Sequence, residues 1–115
     1  MIAMSDLGGL SGPSEPVPNQ LRILAAQENL GNLVSIHRPS TRPARIVFRD
    51  ARVYLYDKGV VVSNGRGSLS LFDWERTGVQ RKGGGWQLTR SDGARFRLTR
   101  HWTGYAELGQ ALANR

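Results

Sequence analysis

Cysteine is absent from the 115 residues of this chain, which excludes disulfides and thiolate metal sites and fits a reducing compartment. Histidine is scarce, with His37 and His101 the only two. Metal sites need several ligands at fixed spacing, and Asp73 and Glu75, which bracket Trp74, are tied to neither imidazole. No metal or other cofactor is expected. Long apolar runs are also missing, and the opening MIAMSDLGGL has no basic stretch before its short apolar one. A signal peptide and a spanning helix are therefore not expected. The simplest reading is a cytoplasmic protein, with a peripheral position at the inner membrane as a variant.

Catalytic signatures are equally thin. No Gly-x-Ser-x-Gly elbow occurs, and the glycine clusters at 65–67 and 83–85 lack the Lys-Ser/Thr of a phosphate-cradling loop. Both fall between strand-like runs, where glycine supplies the positive φ of a tight turn. Only six acidic residues lie beyond position 29, most of them in turns, so a carboxyl pair held across a cleft is not expected. The chain is read as non-catalytic.

Positive charge is plentiful. The net charge is +7, and the residues are unevenly placed. Residues 1–29 carry Arg22 against Asp6, Glu15 and Glu28; the remainder carries fifteen basic and six acidic residues. Fourteen of the sixteen basic residues are arginine, which reads either as bidentate contact with phosphate or carboxylate or as genomic base composition. Such a domain attracts nucleic acid, anionic lipid and acidic proteins alike.

The chain divides into a flexible Gly/Ser/Pro-rich tail over 1–18 and a single folded domain over 19–115. Leu21, Leu24 and Ala25 predict a short helix over 19–30, with Asn19 as N-cap and Gly31 as its C′ residue. Strands are predicted over 33–37, 52–56, 60–63, 68–72, 77–82, 86–91 and 94–100, separated by turns such as Asp57-Lys58-Gly59 and Ser91-Asp92-Gly93. In the last hairpin Trp86, Leu88, Phe96 and Leu98 share an inner face, and Gln87, Thr89, Arg95 and Arg97 an outer one. Tyr105, Leu108 and Leu112 form one stripe of a closing helix over 103–114, capped by Thr103. Residues 39–51 read as either a long loop or an extension of the second strand.

Two stretches, Arg52-Val53-Tyr54-Leu55-Tyr56-Asp57-Lys58-Gly59-Val60-Val61-Val62 and Phe72-Asp73-Trp74-Glu75, look like parts of bacterial pleckstrin-homology-like domains. The ending from Phe96 to Trp102, followed by Tyr105, Glu107 and Leu108, is similar to uncharacterised PH-like proteins of actinobacteria. The resemblance covers roughly residues 19–114. It implies a mainly β fold, a seven-stranded antiparallel barrel or sandwich with a capping C-terminal helix. It also implies a binding module, since that superfold hosts lipid-, peptide- and protein-binding members.

Protein or peptide binding is the leading expectation, weak electrostatic binding to anionic membrane lipids or headgroups the alternative, and nucleic-acid binding third. The candidate contact residues are Arg38, Arg42, Arg45, Arg49 and Arg52, which surround the apolar triplet Ile46-Val47-Phe48, and Arg95 and Arg97 on the outer face. Tyr54, with Tyr56, is added as an exposed aromatic platform. The Lys-x(n)-Arg-x-Arg spacing of phosphoinositide-binding members is missing, because Tyr54 stands two residues past Arg52.

Overall fold

Alternation along Arg52–Tyr56 sends Val53 and Leu55 to one face and Tyr54 and Tyr56 to the other, yet four of these five residues are buried. A strand buried on both sides must be the middle of three layers. The computed structural model, which describes residues 15–40 and 50–114, shows those layers. Among the described residues, helix α1 (Asn19–Gln27) is followed by seven strands and a closing helix α2 (Tyr105–Ala113). The strands are β1 (Leu33–His37), β2 (Arg52–Tyr56), β3 (Gly59–Ser63), β4 (Leu69–Asp73), β5 (Thr77–Lys82), β6 (Gly85–Arg90) and β7 (Arg95–Leu98). Among the described residues the strands pair antiparallel with their chain neighbours, in a four-stranded sheet β1-β2-β3-β4 and a three-stranded sheet β5-β6-β7. The fold is thus mainly β. The closed-barrel alternative is corrected: the two sheets are separate ladders stacked as a sandwich.

Two apolar clusters use the two faces of the first sheet. Val53, Leu55, Val60 and Phe72 face inward and meet Trp86, Leu88 and Leu98 of the second sheet, with Leu108 and Leu112 of α2. The helical stripe expected over Leu108 and Leu112 is therefore core. On the outer face Tyr54, Tyr56, Val61 and Leu71 pack under Leu21 and Leu30 at the ends of α1 and of the turn after it. Val17 also joins this layer, and Glu15 pairs with Arg52, so 15–18 lies against the domain although its composition reads as tail. The rest of that expected tail, 1–14, lies outside the described residues.

The helix ends differ from expectation in an instructive way. Helix α1 stops at Gln27, and Asn29 adopts a left-handed φ of 53°. Leu30 N–H donates to Ala25 O and Asn29 N–H to Ala26 O, the paired bonds of a Schellman ending. Asn29, not Gly31, is C′, because asparagine tolerates this conformation better than most residues. Gly31 has a different task. With φ 82° it lies so close to Asp57 that a Cβ would come within 2.7 Å of the carboxylate. Asp57 accepts the Asn32 N–H at 2.7 Å there, pinning the linker to the β2–β3 turn. At α2 the N-cap is Gly104 with φ 64°, and Thr103 instead gives its Oγ1 to the Arg38 N–H.

Candidate binding groove at the mouth of the sandwich

The two sheets diverge where β3 ends and β7 begins its exit toward α2. Between them lies a recess of about 360 Å³ lined by Pro39, Ala51, Val62, Ser63, Asn64, Phe96, Arg97, Thr99, His101 and Trp102. Its wall is aromatic. Phe96 sits edge-on to Trp102 at 6.0 Å between ring centroids and tilted against Phe72 at 6.3 Å. Polar groups stand at the ends of strands, where the chain turns: Asn64 Oδ1 accepts the N–H groups of Arg66 and Ser68 and so holds the β3–β4 turn in shape. Arg97 brings a permanent charge, and no carboxylate is among the described residues that line the recess.

One side of the recess is fixed by a stitch between distant parts of the chain. Thr103 N–H donates to Arg38 O and Ser40 N–H to His101 O, with Pro39 opposite Trp102. His37 secures it from below. Its Nδ1 lies 2.6 Å from Thr103 O and its Nε2 2.7 Å from Ser35 Oγ. A carbonyl can only accept, so Nδ1 carries the hydrogen and neutral Nε2 accepts from the Ser35 hydroxyl. Burial lowers the His37 pKa, opposed by the Thr103 bond and the Glu107 charge. A serine bonded to an oriented imidazole has the outline of a nucleophile and base. Here the imidazole ties β1 to Thr103, just ahead of α2, and neither Ser35 nor His37 is among the residues lining the recess.

Among the described residues, the sequence-nominated ones do not form one site. Arg38 and Arg52 share Glu15, at 3.3 Å and 2.9 Å. Arg52 also donates to Ala51 O on the rim of the recess. Arg42, Arg45 and Arg49, with the triplet Ile46-Val47-Phe48, lie outside the described residues. Tyr54 is corrected: it is 3 % exposed beneath α1, so it offers no platform, and burial raises its pKa. Tyr56 shares that layer. Arg95 and Arg97 are exposed on the outer face of the second sheet, as the alternation predicted. Asp73 and Glu75 stand at a strand end, where Asp73 pairs with Arg76 at 3.0 Å.

A larger cleft of about 820 Å³ lies on another side, between the turn after α1 and the β4–β5 connection. Charged side chains line it, among them Glu28, Asp57, Lys58 and Arg76, so it offers little apolar surface for a ligand. Among the described residues no group of three or more His, Asp or Glu could hold a metal ion. No helix there is long and apolar enough to cross a membrane. No protein-family model, curated protein or solved structure matches the chain.

The mouth recess was not legible beforehand because its lining comes from residues 39, 51, 62–64 and 96–102. No local motif joins these positions. In the sequence Phe96 reads only as an inner-face residue of the last hairpin, and nothing there marks it or Trp102 as the wall of a recess.

Proposed function

We propose that this chain is a PH-like, non-catalytic binding module that takes an extended acidic segment of a protein partner at the mouth of the sandwich. The carrying observation is the recess itself, with an aromatic wall of Phe96 and Trp102, polar groups at its edge and no carboxylate among the described residues that line it. Concave sites with an apolar floor and a few convergent polar groups are where ligands bind. One apolar side chain of the partner enters between Val62 and Phe96. Acidic residues flanking it meet the positive rim begun by Arg97, which favours encounter and fixes orientation. The succession of seven antiparallel strands in four-plus-three order, closed by a helix, supports the PH-like reading.

The test is a titration of isotope-labelled protein with a panel of acidic peptides, each carrying one Phe or Leu, beside neutral peptides of equal length. Amide shifts should concentrate at 62–64 and 96–102 for the acidic set. Ala51→Trp, which fills the rim, should abolish them while leaving the melting temperature in place. Shifts spread over other surfaces, or none at millimolar peptide, would sink the proposal.

A further inference from the structure

The two sheets treat their outer faces differently. That of the first sheet is covered by α1, whereas that of the second carries no helix among the described residues. Register fixes what the second face presents. Gly78, Thr89 and Arg95 form one row, and Gln80, Gln87 and Arg97 the next. Lys82 lies beyond them on the same side, two positions past Gln80. The other face holds Val79, Leu88 and Phe96 in the core, with Arg81 drawn over the Trp86 ring at 5.2 Å. Three cations, two glutamines and a threonine thus share one layer, and β5, β6 and β7 contain no acidic residue at all. Among the described residues no carboxylate pairs with Lys82, Arg95 or Arg97. Arg97 is exposed and braced by donating one nitrogen to Lys82 O and Gly83 O at 3.0 and 3.1 Å.

We infer that this face binds the phosphate backbone of single-stranded nucleic acid without reading its sequence. The composition decides among anionic partners. Protein interfaces concentrate aromatic and apolar side chains at their centre, and this face has none. A bilayer-docking surface gains from apolar side chains that insert, and none is present. Contacts to nucleic-acid backbones come from Arg and Lys with Thr and Gln, which is the inventory here. Same-face neighbours along a strand stand about 6.6 Å apart, a spacing similar to that of successive phosphates. Without an exposed ring on the face there is no base stacking, so binding rests on the phosphates.

The experiment follows fluorescence anisotropy of labelled oligo(dT) against salt concentration. Three phosphate contacts predict a slope of log K against log salt of about −2, since each contributes about −0.7 on a single strand. Arg95→Ala with Arg97→Ala should flatten the slope to about −0.7 and weaken low-salt binding about tenfold. Arg22→Ala with Arg66→Ala removes the same charge from other faces and should leave the slope unchanged. Oligo(dA) should bind like oligo(dT). Equal losses in both double variants would show that net charge acts and not this face. Loss of binding to anionic phosphatidylserine vesicles, with oligonucleotide binding intact in the Arg95/Arg97 variant, would assign the face to a bilayer and overturn the inference.

Discussion

Truncating Leu21 to Ala tests whether α1 is part of the fold or an ornament on it. Leu21 is fully buried against the outer face of the first sheet, beside Tyr54, Tyr56 and Leu71. Its truncation removes three carbons, worth about 2.4 kcal/mol at 0.8 kcal/mol per methylene. The cavity left behind brings the loss to about 3–4 kcal/mol, inside the usual range for buried leucines. In a domain of this size each kcal/mol lowers the melting temperature by about 4–8 °C, so a fall of at least about 12 °C is expected. Urea unfolding should be followed by two signals. In a Tyr105→Phe background the tryptophans report the inner cluster, while Tyr54 and Tyr56 report the outer one. If the shared sheet couples both clusters into one cooperative unit, the two transitions coincide in wild type and variant alike. Leu108→Ala, on the far side of that sheet, should add its own cost to that of Leu21→Ala within about 0.5 kcal/mol. A Leu21→Ala loss below about 1 kcal/mol, or a tyrosine transition well ahead of the tryptophan one, would refute a shared three-layer core.

Two further outcomes follow from the helix ends. Because burial holds the His37 pKa below 6.5, the unfolded chain binds that proton more readily. Stability from this group is complete above pH 6.5 and is lost as pH falls through that value toward the folded pKa, so denaturation midpoints should drop on acidification. His37→Gln should remove that dependence, and an unchanged slope would refute the tie. At the end of α1, Asn29→Gly should hold or raise stability, because glycine suits the left-handed C′ position, whereas Asn29→Val should cost about 1 kcal/mol or more. Equal melting temperatures for the two variants would contradict the Schellman geometry.

Period-two alternation and turn chemistry made the seven strands readable, and they also placed Arg95 and Arg97 outside and Leu88 and Phe96 inside correctly. What alternation cannot say is whether a second face meets water or another layer. Tyr54 reads as exposed because its cover, Leu21, lies more than thirty residues earlier and touches it only after folding. Cap positions misled for a related reason. Thr103 is a good N-cap by type, but a partner on Arg38 takes its hydroxyl, and Gly104 supplies the turn instead. Of the candidate site, the cationic outer face was legible and the mouth recess was not, since the first follows from one hairpin and the second from four separated stretches.

The stitch from His37, Arg38 and Ser40 to His101 and Thr103 has a consequence for the order of assembly. Its bonds join residues 61 to 66 positions apart, while the pairings within both sheets link consecutive strands. Closing a long loop costs more chain entropy than closing a short one, and non-local contacts set the pace of folding. The hairpins therefore assemble first and the stitch locks last, delivering α2 onto an inner cluster already half built. Until then Trp86 and Leu88 lack their cover from Leu108 and Leu112. The same region opens first on the way back out, so amides of residues 101–103 exchange with solvent ahead of those in β2 and β3.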